Sequence, residues 1–334
     1  MANIILNKNN FFNNLDIIAN QTKSKDKIAL VLKDNAYGHG ILEVAKMAQE
    51  YGITKVVVQT NNEAQKIESF FDYVLVLADF PQEYNKKIRY TINDIESIEN
   101  FPSSTKVELK VDTGMHRNGI SMDELQEALD RIKKQNLVLE AVLTHHRSAD
   151  ELTSEWFWQK ENFKKVKQRV KELGYENLRF HSSNSAALFR TTSFDEDMAR
   201  VGICAYGCME LPPSLNIDGF KPVLSLYGDK ISSRVLKKGQ ALGYGATFTA
   251  KEDSIVSTYN FGYGDGFFKT CSNNYTTPNK NSLVGRISMD NSSFVCEDDK
   301  ILIFDDARVI AAWAKTISYE VLTSLKEYIK REVI

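Results

Sequence analysis

Residues 27–60 read KIALVLKDNAYGHGILEVAKMAQEYGITKVVVQT, and their pattern decides the fold. An unbroken apolar run, Ile28–Leu32, ends in a lysine and a polar turn. Helical spacing follows at Ile41, Val44, Ala45, Ala48 and Tyr51, with Gly52 as its stop, before a second β-branched run at 55–60. Short strands that are apolar along their whole length are buried on both faces, as in parallel sheets covered by helices. The same signal recurs at 72–78, 89–94, 106–112, 137–145, 178–183 and 200–207, which with 27–33 and 55–60 predicts eight strands. A long polar helical run, Ser154 to Leu173, closed by Gly174, fits the same alternation. Eight such units predict a TIM-like (β/α)8 barrel, in which the chemistry collects at the C-terminal ends of the strands. Lys33, Lys110, Arg117, His145, His181 and Ser185 fall at or near such ends, and Arg200 opens the eighth run.

Beyond about Lys221 the texture changes to short alternating segments divided by Gly, Asn and Asp: GYGATFTA, SIVSTYNFGYGDGF, LVGRISMDNSSFV and KILIF. This predicts a barrel domain over 1–221 and a mainly β domain over 222–334, with the stretch WAKTISYEVLTSLKEYIKREV returning to helical spacing.

Composition narrows the function. In 334 residues, 42 basic and 44 acidic side chains leave a net charge of -2, too little to hold nucleic acid or an anionic membrane, so a small ligand is expected. Four scattered cysteines, Cys204, Cys208, Cys271 and Cys296, make neither a disulfide framework nor a CxxC metal pair, and no metal is expected. MANIILNKNNFFNNLD lacks the apolar core of a signal peptide, and no window reaches the length of a membrane span. A cytoplasmic protein is expected.

A lysine past a buried strand is ordinarily a solvated chain end. At a barrel rim it can lose part of its hydration and attack a carbonyl to form a Schiff base. VLKDNAYGHG resembles the lysine motif of the pyridoxal-phosphate-dependent alanine racemases, and the resemblance continues in order through KVDTGMHRNG, HSSNSAA, RVGICAYG, GYGDGF, VGRISMD and TISYE, spanning residues 31 to 320.

The resemblance implies an alanine racemase that interconverts L- and D-alanine on a pyridoxal 5'-phosphate aldimine by a two-base mechanism, supplying D-alanine for peptidoglycan. Lys33 would form the aldimine and act as one base. Tyr263 of GYGDGF, arriving from the partner subunit of a head-to-tail homodimer with shared active sites, would be the other. Tyr37, Ser185, Gly202, Ile203 and Tyr319 would hold the phosphate. Arg200 would face the pyridine nitrogen, with His145 and His181 in the network behind the cofactor. Lys110 would be carbamylated and orient Arg117, which would position the substrate carboxylate; Met289 and Asp290 would approach the substrate from the partner. The residue chemistry is compatible with these roles. A guanidinium can donate a hydrogen bond but has no proton to give near neutrality, so Arg200 would keep the ring a weak electron sink and favour reprotonation at Cα over transamination.

Several positions depart from the family's usual pattern: His146 and Arg147 after the sixth strand, Asn260 before the GYGDG turn, and the KREVI end. They leave open a broader-specificity amino-acid racemase or an amino-acid decarboxylase of the same fold type. The decarboxylases place a cysteine near the reactive face, and Cys271 and Cys296 lie in the appropriate half without that motif. A non-enzymatic pyridoxal-phosphate-binding protein is the remaining alternative, and the second domain speaks against it.

Overall fold

The computed structural model describes residues 2–215 and 217–334. The first strand, β1 (Asn3–Leu6), is followed by eight more: β2 (Ile28–Val31), β3 (Lys55–Val58), β4 (Tyr73–Val76), β5 (Ile88–Ile92), β6 (Lys106–Lys110), β7 (Val138–Leu143), β8 (Arg179–His181) and β9 (Ala199–Val201). These eight run parallel in the order β8-β7-β6-β5-β4-β3-β2-β9. Backbone bonds from Arg200 N to Ser183 O, 2.9 Å, and from Asp197 N to Phe180 O, 3.2 Å, tie the two ends of the sheet together into a barrel. Every residue of β2 and β4 is buried, as an apolar strand between barrel interior and covering helices requires.

Between the strands, helix Ile41–Tyr51 turns Ile41, Val44, Ala45, Met47 and Ala48 inward and ends at Gly52, φ 99°. Helix Glu155–Glu172 joins β7 to β8. The run 200–207 is strand only through Val201. From Gly202 the chain coils, with Ala205 N bonded to Gly202 O at 2.8 Å and Gly207 N to Cys204 O at 3.1 Å. Apolar content marked this segment as buried without distinguishing strand from turn.

The second sheet is built on the long strand β10 (Leu224–Leu236), which pairs antiparallel with Ser254–Tyr259, Lys300–Phe304 and β1. Strand Lys330–Val333 lies parallel to β1, with Asn3 opposite Lys330 and Leu6 opposite Val333. Both chain ends therefore close one sheet, and Ile4 and Leu6 are wholly buried beneath it. Helical spacing over the last segment holds for Ser318–Ser324, preceded by helix Ala307–Ala314, but fails at 330–333, where a partner more than 300 residues distant imposes extended backbone.

Candidate functional site at the C-terminal mouth of the barrel

Lys33 leaves β2 on an unusual turn. Asp34, Asn35, Ala36 and Tyr37 all have positive φ, between 50° and 55°, making one turn of left-handed helix. For non-glycine residues this conformation costs roughly 1–2 kcal/mol each, so it must be anchored from outside. Glu63 accepts from Asp34 N at 2.6 Å, and Asn35 Oδ1 accepts from Ile41 N at 2.8 Å. Arg331, on the C-terminal strand, donates to Gly38 O from Nη2 at 2.9 Å and from Nε at 3.2 Å. The lysine side chain, a third exposed, points into a cavity of about 770 Å³ at the barrel mouth.

One wall of this cavity suits a phosphate. Ser185 opens a short helix whose N-cap, Asn184, accepts from Ala187 N at 2.9 Å, and Ser185 Oγ accepts from Gly202 N at 3.1 Å. Tyr37 packs against Gly202: a Cβ there would sit 2.6 Å from the phenol ring, so only glycine allows the approach. The Tyr319 ring stands 5.8 Å from that of Tyr37, and Ile203 completes the wall. Burial pushes the Tyr37 phenol far above the ordinary tyrosine range, so it remains a hydrogen-bond donor at all physiological pH, while Tyr319 is partly open to the cavity mouth.

Arg200, buried on β9, is clamped by neutral acceptors: Thr144 O at 2.6 Å, His181 O at 3.0 Å and His181 Nδ1 at 2.5 Å. Opposite, Lys110 is buried and hydrogen-bonded to Asn118 Oδ1. Burial, followed by the charges of Arg117 and Arg200, lowers its pKa from 10.5 to about 8. Arg117 lies exposed at the rim. His145 also lines the cavity, and burial together with Arg200, Lys110 and Arg117 holds it neutral, well below its ordinary pKa. Its neighbour His146 turns away to Ser182 Oγ, 3.0 Å, while Arg147 pairs with Glu155 and donates to Gly114 O at 2.8 Å.

Tyr263, Met289 and Asp290 do not line this cavity. They share a turn of the second domain, joined by Tyr263 N to Ser288 O at 3.0 Å and Gly264 N to Met289 O at 2.8 Å. The Tyr263 side chain is 42% exposed and Met289 56%. Cys271 and Cys296 are both buried, and burial raises the Cys271 thiol to about 11.

Sequence reasoning missed the polar lining contributed by Gln59, Asn93, Asn118, Glu320 and Thr323, and the wholly buried Glu108 behind His181. For Glu108 a signal existed. In KVELKVD the charged residues Lys106, Glu108 and Lys110 alternate with Val107 and Leu109, a period of two that puts Glu108 on the face that carries Lys110. No group of His, Cys, Asp or Glu among the described residues is placed to hold a metal ion, and no described helix is long and apolar enough to cross a membrane.

An amine, a wall of hydroxyl and backbone donors and an arginine facing one cavity make a barrel site suited to a phosphorylated carbonyl cofactor. The donor set fits pyridoxal 5'-phosphate: hydroxyl and phenol donors for a dianion, an amine for its aldehyde and a guanidinium for its ring, in a volume within the usual range of small-molecule sites. Comparison with known proteins agrees. The family described as "Alanine racemase, N-terminal domain" matches residues 6–210, and "Alanine racemase, C-terminal domain" matches 223–333. An alanine racemase of Nitratiruptor sp. is 44% identical over 99% of both chains, and one of Campylobacter curvus is 41% identical over the full length of both. The crystal structure of alanine racemase from Bacillus anthracis with bound L-Ala-P superposes with a TM-score of 0.89 at 27% identity, covering 100% of this chain and 95% of that one. The chain belongs to the alanine racemase family, whose members are pyridoxal-phosphate-dependent racemases.

Proposed function

We propose that this chain interconverts L- and D-alanine with Lys33 and Tyr263 as its two proton-transfer groups, in a homodimer whose sites are shared. The carrying observation is the separation of the two groups: Lys33 enters the barrel cavity, whereas Tyr263 is displayed on the open face of the other domain. Inverting a stereocentre requires a proton taken from one face of Cα and returned on the other, so two groups must approach from opposite sides. A second copy, docked head to tail, supports that geometry by bringing Tyr263 of the partner subunit to the mouth.

When bound, pyridoxal phosphate supplies a ring that delocalises the electron pair left on Cα. This chain's residues do the rest. Lys33 Nζ would hold the aldehyde carbon until the substrate amine displaces it, and the freed amine would then move a proton on one face of Cα. The phenol Oη of the partner's Tyr263 moves it on the other; a tyrosine ordinarily ionises near ~10 and so needs donors or cations beside it. Ser185, Gly202, Ile203, Tyr37 and Tyr319 hold the phosphate. Arg200 would donate to the ring nitrogen without a proton to give, which would favour return of the proton to Cα. Arg117 binds the substrate carboxylate, oriented by Lys110 as its carbamate, while Met289 and Asp290 of the partner subunit close over the substrate. His145, neutral and beside Arg200, completes the wall. A cytoplasmic setting and delivery of D-alanine to peptidoglycan belong to the same proposal.

The test is direct. Purified protein with L-alanine should form D-alanine to an equal mixture, and stripping the cofactor should stop the reaction until pyridoxal phosphate is restored. Release of carbon dioxide instead would point to a decarboxylase, and absence of either product would sink the reading.

A further inference from the structure

Glu108 has no place in the chemistry described so far, yet its contacts are selective. It is 0% exposed, inside the barrel, two residues before Lys110 on the same strand. Oε1 accepts from Tyr73 Oη at 2.5 Å and from Arg179 Nη2 at 2.9 Å; Oε2 lies 2.9 Å from His181 Nε2. Burial alone would raise its pKa, but His181, Arg179 and Tyr73 outweigh burial and leave the carboxyl below its ordinary range, hence ionised. Arg179 also bonds Glu140 at 3.0 Å, so a purely structural ion pair would account for Oε1. It does not account for Oε2.

His181 supplies the reason. Its Nδ1 is 2.5 Å from Arg200 Nη1. A guanidinium has only donors, so Nδ1 must be bare and accept. The single ring proton of the neutral imidazole then sits on Nε2 and is donated to Glu108 Oε2. Were the proton on Nδ1, two N–H groups would face each other in a buried site, and Arg200 would have to swing away.

We propose that Glu108 is a positioning residue: it fixes the Nε2–H tautomer of His181 and thereby keeps the Arg200 guanidinium aimed into the cavity. The relay Glu108–His181–Arg200 thus runs from the barrel interior to the cofactor ring, and its catalytic meaning rests on the reading that Arg200 faces the ring nitrogen. At metal sites a carboxylate that orients a ligating histidine is a recurring arrangement, and removing it typically costs ~10–100-fold in affinity or activity; a loss of the same order is expected here.

The informative substitution is Glu108→Gln, which keeps the shape. With its carbonyl at the Oε1 position it still satisfies Tyr73 and Arg179, and its NH2 then faces His181 Nε2. That nitrogen must become the acceptor, which drives the proton to Nδ1. The readout is ¹⁵N NMR of histidine-labelled holoenzyme, with His181 assigned by its loss in His181→Asn. The wild type should show the Nε2–H tautomer. Glu108→Gln should show Nδ1–H, with racemisation reduced ~10–100-fold. The core variant Leu15→Ala, on the helix outside the barrel, provides a destabilised reference in which neither quantity moves.

An Nδ1–H or doubly protonated His181 in the wild type overturns the relay, whether or not the glutamine variant folds. So does an unmoved tautomer in Glu108→Gln, or a moved tautomer with racemisation at the wild-type rate. If Arg200→Glu also leaves racemisation unchanged, the fault lies in the placement of Arg200 against the ring and not in Glu108.

Discussion

Two short turns carry the proposed proton-transfer groups, and they are built in opposite ways. The Lys33 turn is left-handed over four residues, anchored by Glu63, Asn35 and Arg331, and aims its side chain into a cavity. The Tyr263 turn is equally braced, with Gly262 N bonded to Asp265 Oδ2 at 2.9 Å and Tyr328 Oη donating to Asp265 Oδ1 at 2.8 Å, yet its phenol faces outward beside exposed Met289. A rigid frame around an exposed aromatic is poorly explained by the needs of one chain. The first turn directs its group into the chain's own cavity; the second presents its group at the surface.

The hardest blow to this contrast is Lys33→Ala. It should abolish racemisation and the covalent cofactor link together, and a borohydride-reducible adduct persisting at another lysine would move the reactive amine elsewhere. Next is Tyr263→Phe, which should leave cofactor binding intact while racemisation in both directions falls by ~10²–10⁴-fold. Mixing inactive Lys33→Ala and Tyr263→Phe subunits should recover part of the activity, because one of the two rebuilt sites holds both groups. No recovery after verified subunit exchange would mean that each chain works alone.

Arg200→Glu probes the barrel side more gently. A carboxyl there can hold a proton at the ring nitrogen, so racemisation should fall while slow pyridoxamine formation appears; neither change would remove Arg200 from the ring.

The smallest effect concerns Lys110. Only the free amine reacts with carbon dioxide, and a pKa of about 8 in place of 10.5 makes that form accessible near neutrality. At fixed dissolved carbon dioxide, carbamate detected by ¹³C NMR should therefore increase as pH rises through about 8. The folded state binds fewer protons than the unfolded one between about 8 and 10.5, so this lysine's contribution to stability improves with rising pH across that window. A carbamate signal absent at pH 9 would assign Lys110 to its Asn118 hydrogen bond alone.

The barrel was legible because a strand buried on both faces must be apolar throughout and a covering helix must repeat every 3.6 residues, as 27–60 does. The groups lining the cavity were legible for a different reason. Lys33, Tyr37, Ser185, Arg200 and Tyr319 lie in motifs that resemble those of the alanine racemases, and all five line one cavity. Glu108 was half legible, since its period of two gave its face but not its partners on β4 and β8.

What the sequence determined by itself is what depends on near neighbours: the strand and helix periods, the stop at Gly52, and the residue types carried to each strand end. What only the tertiary structure decided depends on contacts across hundreds of residues. Lys330–Val333 has helical spacing behind it and becomes a strand because β1 offers an unpaired edge. Arg331 from that strand steadies the turn after Lys33, and a tyrosine in a glycine-rich turn is left facing outward. Local propensities differ by only about 1 kcal/mol per residue, so a sheet edge or a buried hydrogen bond supplied from elsewhere in the chain readily overrides them.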